Sequence, residues 1–373
     1  MLIKQVWGAS HGKVMICLAV ALATGCAATD DGDVDGCGGM DDGVVDEATV
    51  ATANAGIGDG MGSGYVDAGT GIETPPPLGG VQTLAERLDA PTKLVLDGEY
   101  LYWVNTSNGS HGSVMRVAKN GGQPQVLAVE QVFPVGLVVD AHYVYWTNTG
   151  IDAAAGQVMR VAKIGGDPVV LASGINWPSE LAGDSGYLYW RDDYKGLQRI
   201  AKCGGVEPEL LVASQTLSGA IAIDDTRVYF NDVSMGAIRA VPKAGGPVAD
   251  VASLPAWFIS VLVVDGDDVY WHNGGVDSLW HAKTTGGGPA TAVFEGGFEM
   301  RYIAVTKDAL FITQMGQPPE MPPGPGVIHQ IPRNGGDDQL VTPRDVGFWG
   351  IAVDDKAIYW TNLSKGTLNA IAR

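Results

Sequence analysis

Seven times the chain repeats one arrangement of apolar and polar positions. An apolar run, closing on Asp in most copies, is followed by a few turn residues and an alternating segment that ends on Tyr-Trp or a near match. The copies occupy residues 94–103, 137–146, 181–190, 221–230, 262–271, 303–312 and 351–360. Their starts lie about 40 to 48 residues apart, which for strand-like units is the period of a β-propeller blade. Each repeat divides into four strands; in the second they fall at residues 137–140, 143–147, 157–163 and 168–172. The first strand is apolar on both faces, as expected of a strand flanked by neighbouring blades. A Gly-Gly pair such as Gly165-Gly166 or Gly245-Gly246 then supplies the positive φ of a tight hairpin before the fourth strand.

The last repeat ends at Arg373, where the other repeats place the basic residue before Gly-Gly. The missing fourth strand is offered by residues 79–85, whose Gly79-Gly80-Val81-Gln82 start matches Gly121-Gly122-Gln123. The sequence therefore predicts an all-β, seven-bladed β-propeller over residues 79–373, closed by an N-terminal strand. Its blades cover residues 94–136, 137–180, 181–220, 221–261, 262–302, 303–350, and 351–373 joined by 79–88. Six blades is the alternative count.

Net charge is −19, unevenly placed. Residues 27–80 hold eleven Asp and Glu and no Lys or Arg. Residues 26–78 are poor in large apolar side chains and end in Pro75-Pro76-Pro77, so they read as a disordered tether. The acidity argues against nucleic acid, since phosphate binding needs basic patches. Within the tether Asp31, Asp33, Asp35 and Asp42 have the spacing of a calcium loop, although no amphipathic helices flank them; a solvated acidic segment explains them equally. No other metal site and no cofactor is expected.

Residues 1–25 carry Lys4 and Lys13 ahead of an apolar run over 14–23, too short to cross a bilayer as a helix. The closing Leu22-Ala23-Thr24-Gly25-Cys26 resembles the lipobox of bacterial lipoproteins. That resemblance implies cleavage before Cys26, a lipid anchor on its thiol and, from Ala27 after it, placement at the outer membrane, on its periplasmic or cell-surface side. Cys37 and Cys203 are left as either two free thiols or one bridge.

The Tyr145-Trp146-Thr147-Asn148 and Tyr359-Trp360-Thr361-Asn362 phrases resemble the YWTD propellers of the low-density-lipoprotein-receptor group. The resemblance covers residues 80–373 and implies a propeller; that group has six blades, against seven copies here.

Two sets of polar residues repeat with the blades. Asp97, Asp140, Asp184, Asp224, Asp265 and Asp354 should cap the turns after the first strands, with the basic residues that precede Gly-Gly beside them, both structural. The opposite face gathers the loops before the first strand and after the second. Phe133, Trp177, Trp257, Phe298 and Trp349 lie there, either as wedges between blades or as an aromatic rim for a ligand. Asn148, Asp192, Asn231, Asn273 and Asn362 add polar groups, and a Pro-rich insertion at 317–326 is either a contact element or an indifferent loop. No H-E-x-x-H, Gly-x-Ser-x-Gly or phosphate-loop motif occurs, and the histidines lack metal-ligand spacing. The expectation is a membrane-anchored binding propeller without catalysis, holding an envelope protein, peptide or glycan. The alternative is a lactonase- or hydrolase-like propeller enzyme with a channel metal, for which Glu180, Asp184 and Asn231 are the conceivable ligands.

Overall fold

The computed structural model describes residues 80–373 except 108, 110, 254–258, 275–277, 296–299 and 317–324. The signal and tether expectations, Cys26, Cys37, the calcium-loop aspartates, Trp257 and Phe298 lie outside the described residues.

Seven four-stranded antiparallel sheets form a β-propeller. Blade 1 is β2 (Pro91–Asp97), β3 (Tyr100–Asn105), β4 (Gly112–Ala118) and β5 (Gln125–Gln131). Blade 2 is β6 (Pro134–Val139), β7 (Tyr143–Asn148), β8 (Gly156–Ala162) and β9 (Val169–Ile175). Blade 3 is β10 (Leu181–Gly183), β11 (Tyr187–Asp192), β12 (Gly196–Ala201) and β13 (Glu209–Ala213). Blade 4 is β14 (Leu217–Ile223), β15 (Arg227–Asp232), β16 (Ala237–Pro242) and β17 (Ala249–Ser253). Blade 5 is β18 (Ile259–Asp265), β19 (Asp268–Asn273), β20 (Ser278–Lys283) and β21 (Thr291–Glu295). Blade 6 is β22 (Met300–Val305), β23 (Ala309–Gly316), β24 (Pro325–Pro332) and β25 (Gln339–Leu340). Blade 7 combines β26 (Phe348–Val353), β27 (Ala357–Asn362) and β28 (Thr367–Ala372) with β1 (Gln82–Ala85) from the other end of the ring.

The Tyr-Trp phrase explains why the blades stack. Successive strand residues face opposite sides, so each phrase feeds two interblade layers. Tyr102 packs with Trp146, Tyr145 with Trp190, Tyr189 with Phe230, and Tyr229 with Trp271. Tyr270 then meets Ile312, Phe311 meets Trp360, and Tyr359 meets Trp103 to close the circle. The core is thus a set of interblade layers rather than one central mass.

Most inner strands start earlier than the apolar run suggests. An irregularity in the pairing, as between Pro91 and Leu94 or Phe348 and Ile351, lets the strand continue past a break in alternation. Trp349, expected in a loop, therefore lies inside β26. At the same level a Thr from the second strand ties neighbouring blades. Thr361 Oγ1 accepts from Gly350 N at 2.8 Å and donates to Thr92 O at 2.7 Å; Thr313 links Tyr302 N to Trp349 O in the same way.

Asp97, Asp140, Asp184, Asp224 and Asp354 cap their turns, as Asp184 does by accepting from Gly186 N and Tyr187 N. The basic residues do more than lie beside the turn of their own blade. Five of the seven reach the repeated Asp of the preceding blade, while Lys283 pairs with Asp268 of its own blade and Arg373 with Asp308. Lys202 reaches Asp140 at 2.9 Å, Lys243 reaches Asp184 at 2.9 Å, and Lys119 reaches Asp354 at 2.6 Å across the closure. Lys163 pairs with Asp97 and Arg333 with Asp265 likewise. The tyrosine hydroxyls of Tyr102 and Tyr189 donate to the same carboxylates.

Burial pushes the Asp140, Asp184 and Asp354 carboxyls up, but the neighbouring lysines and turn N–H groups outweigh it and hold them below the usual range. A depressed carboxyl contributes stability that is complete above its unfolded value, near 3.8, and is lost as pH falls through the folded one. Acid titration followed by tryptophan fluorescence should show the ring loosening below that pH. The single variants Asp140→Asn and Asp184→Asn should each flatten the acid limb and cost about 1 kcal/mol or less at neutral pH.

Candidate functional site

The face bearing the loops before the inner strands and after the second strands concentrates the unusual chemistry. Phe133 and Trp177 occupy equivalent positions, each just before a proline that opens the next blade, and both have a left-handed backbone, with φ of 51° and 50°. That conformation is strained for a bulky side chain. Phe133 is 38 % exposed, its ring lying over Gly109, and Trp177 is partly exposed. Trp349 is partly buried, with the Arg301 guanidinium stacked 4.8 Å from its ring centre. Phe348 points the other way, into the core against Trp360. Both readings of the aromatic set are thus present, in different residues.

The polar candidates sit deeper than a rim. Asn148, Asp192, Asn273 and Asn362 end their second strands and are buried. Asn148 Nδ2 donates to Gln131 Oε1, and Asn362 Nδ2 donates to Val346 O. Asp192 accepts from Asn176 N, Tyr194 N and Lys195 N, which fix the loop around it. Asn231 is also buried but falls one register earlier, the position held by Thr147 and Thr361 elsewhere. In this register blades 3 to 5 replace Thr with Arg191, Asn231 and His272. Arg191 Nη2 donates to Ser179 Oγ at 3.1 Å and pairs with Asp193; His272 Nδ1 lies 2.5 Å from Ser260 Oγ.

Below this level the ring axis holds a cluster that sequence reasoning only touched. Lys93, Glu180 and Tyr302 come from the inner edges of blades 1, 3 and 6 and are buried. Lys93 Nζ lies 4.0 Å from Glu180 Oε2 and 5.4 Å from the centre of the Tyr302 ring. All three occupy the residue just before the repeated apolar run. Blades 2 and 7 place Gly136 and Gly350 there, where a Cβ would come within 3 Å of the next blade's backbone. Burial pushes the Glu180 carboxyl up to about 7, with Lys93 and Arg191 acting against it. Burial lowers Lys93, opposed by Glu180, and raises Tyr302. His272 is held down to about 4 by burial and by the Arg301 charge. Lys93 and Tyr302 were not singled out from sequence; the available signal was a large polar residue at a position otherwise held by Gly, Ala or Val.

The conceivable triad of Glu180, Asp184 and Asn231 does not assemble. Asp184 caps the turn at the far end of its strand pair, on the opposite face, engaged with Lys243 and Tyr189. Among the described residues no group of three or more His, Cys, Asp or Glu is placed to hold a metal ion. Cys203 is an exposed free thiol. A shallow depression of about 430 Å3 between blades 7 and 1, near Lys119 and Asp354, also lies on that opposite face.

The strand order and closed ring define a seven-bladed β-propeller. No known protein family's profile matches the sequence, and no curated protein does. Solved structures are similar in fold. Virginiamycin B lyase from Staphylococcus aureus is 14 % identical with a TM-score of 0.63, over 79 % of this chain and 98 % of the other. A streptogramin B lyase structure is 12 % identical with a TM-score of 0.62, over 78 % and 96 %. The computationally designed Ika8 protein is 13 % identical with a TM-score of 0.55, over 78 % and 98 %. An enzyme and a designed scaffold share this architecture, so the fold by itself selects neither role.

Proposed function

We propose that the chain is a binding propeller whose peptide or glycan ligand docks on the loop-rich face across Phe133, Trp177 and Trp349. Attachment through a lipid on Cys26 at the outer membrane, with an envelope partner, belongs to the same proposal, as does kinship with YWTD propellers. The observation that carries it is the left-handed backbone at Phe133 and Trp177. A large ring held partly exposed at the cost of backbone strain is easier to explain by contact with a ligand than by packing.

Replacing Trp177 with Gly tests this directly. Glycine adopts positive φ without strain, so Trp177→Gly should keep or slightly raise the melting temperature while abolishing binding. Binding is read as the change in intrinsic fluorescence on titrating peptide and oligosaccharide fractions of an envelope extract. A marked fall in melting temperature would show the ring to be a structural wedge.

A second reading, an enzyme, is favoured by Glu180, a buried carboxyl raised to about 7 on the same side of the ring. Simple lactones, together with the virginiamycin B and quinupristin named with similarly folded lyases, form the assay panel. Turnover that survives Glu180→Gln unchanged would remove that residue from any catalytic role.

A further inference from the structure

One layer of the ring breaks the repeat with reactive side chains. At the residue just before the apolar run, blades 2, 4, 5 and 7 carry Gly136, Ala220, Val261 and Gly350. Blades 1, 3 and 6 place Lys93, Glu180 and Tyr302 there, all buried. Replacing a buried ion pair by apolar residues of similar volume is often neutral or stabilising, so packing alone does not account for these three groups. Lys93 Nζ lies 4.0 Å from Glu180 Oε2 and 5.4 Å from the centre of the Tyr302 ring. Gly136 and Gly350, in the blades between, add no side chain to separate them.

These surroundings suit an amine nucleophile. Burial lowers Lys93 and so favours its neutral amine, with Glu180 acting against it. Glu180, pushed up to about 7 by burial against the charges of Lys93 and Arg191, can give and take a proton near neutral pH. Burial raises Tyr302, opposed by the Arg301 charge, so its hydroxyl stays protonated. Ser179 and Arg301, one residue earlier in the chain than Glu180 and Tyr302, are partly exposed. Solvent therefore comes within one residue of the cluster from the loop-rich side.

We infer that Lys93 is a nucleophile that forms a Schiff base with a small carbonyl compound, with Glu180 as its proton carrier. The Nζ lone pair attacks the carbonyl carbon, and the displaced π pair moves to oxygen, which takes the Glu180 proton. The carboxylate then removes a proton from the nitrogen and passes it to the new hydroxyl. That group leaves as water while the nitrogen lone pair forms the C=N bond. The product iminium faces the Glu180 carboxylate, the same charge arrangement that the Lys93 ammonium makes with it. This step uses neither the aromatic rim nor a lactone, so loss of ligand binding in Trp177→Gly would leave it intact.

Trapping with glyoxylate and cyanoborohydride on the full chain tests this. Glyoxylate is small, and its carboxylate suits the Arg191 and Arg301 charges beside the cluster. Hydride delivered to the iminium carbon fixes the adduct as a carboxymethyl group on the lysine, located by peptide mass mapping. At about pH 6.5 an ordinary lysine is almost wholly ammonium. Lys93 is there expected to be modified at least about tenfold faster than Lys195 and Lys365, whose side chains are 52 % and 57 % exposed. Glu180→Gln should slow the reaction at Lys93 at least about tenfold and leave the two exposed lysines unchanged. The wild-type pH profile reads the same role without a variant. Modification of Lys93 should level off or fall above about pH 7, as Glu180 loses its proton, whereas exposed lysines keep gaining rate. A Lys93 left unmodified while Lys195 and Lys365 react overturns the inference. A Lys93 that reacts equally fast in Glu180→Gln, or whose rate rises with pH in parallel with the exposed lysines, overturns it as well.

Discussion

A chain that begins at Ala90 is expected to melt at least about 10 °C below one that begins at Gly79, or not to fold at all. The difference is β1. Leu84 and Ala85 are each 5 % exposed and sit in the layer that joins Trp103 of blade 1 to Tyr359 and Leu368 of blade 7. Burying them contributes about 3 kcal/mol. The strand also pairs with β28 at Gln82 and Thr83, Thr83 Oγ1 donates to Asn369 Oδ1 at 3.0 Å, and Leu88 N donates to Gly366 O at 2.9 Å. At roughly 1 kcal/mol per net hydrogen bond, the segment contributes about 5 kcal/mol or more, the lower end of a domain's whole stability. Truncation would also bare the edge of β28, inviting aggregation. Leu84→Ala should reproduce about half of the loss without removing the strand. Differential scanning calorimetry on the three chains decides the matter: equal melting temperatures would mean that the ring holds without this clasp.

The same layers show why so much of the fold could be read from the chain. Tyr and Trp on adjacent positions must face opposite sides of a strand, so a phrase repeated seven times specifies seven interfaces and a closed circle. Contacts between blades were legible only in kind. That Lys202 would meet Asp140 of the preceding blade, rather than Asp184 of its own, depends on the tilt and spacing of neighbouring sheets, which repetition does not encode. The site was less legible still. Asn148, Asp192 and Asn362 look like exposed loop residues in sequence because they precede turns, yet strand-end polar groups are used to bind those turns and so become buried. Trp177 announced itself as an aromatic, but its strained backbone is a property of conformation alone. Lys93, Glu180 and Tyr302 are far apart in sequence, and only ring closure, with glycine at Gly136 and Gly350, brings them together.

Removing one partner of that axial cluster should have the second large effect. Lys93 and Glu180 are 1 % and 3 % exposed, so neither charge is screened by water. Glu180→Ala removes the carboxylate that faces the Lys93 ammonium in a buried site and should cost about 3 kcal/mol. The double variant Lys93→Met/Glu180→Leu removes both charges at similar volume and should recover most of that loss or exceed wild type. Denaturant unfolding of the two singles and the double forms a cycle; additive costs would show that the two groups do not act as a pair. The pH dependence gives an independent check. Because the folded Glu180 carboxyl is raised from 4.5 to about 7, the native state holds this proton more tightly than the unfolded chain. Its contribution is therefore most favourable below about 4.5 and falls as pH rises towards about 7. His272, lowered from 6.5 to about 4, acts in the opposite sense, since the native state resists its protonation as pH falls below 6.5. In wild type the two slopes partly cancel. Glu180→Gln removes only the first, so its stability relative to wild type should improve from pH 5 to about pH 7 and level off above it. Parallel stability curves for the two proteins would show that the Glu180 carboxyl titrates alike in the folded and unfolded chain.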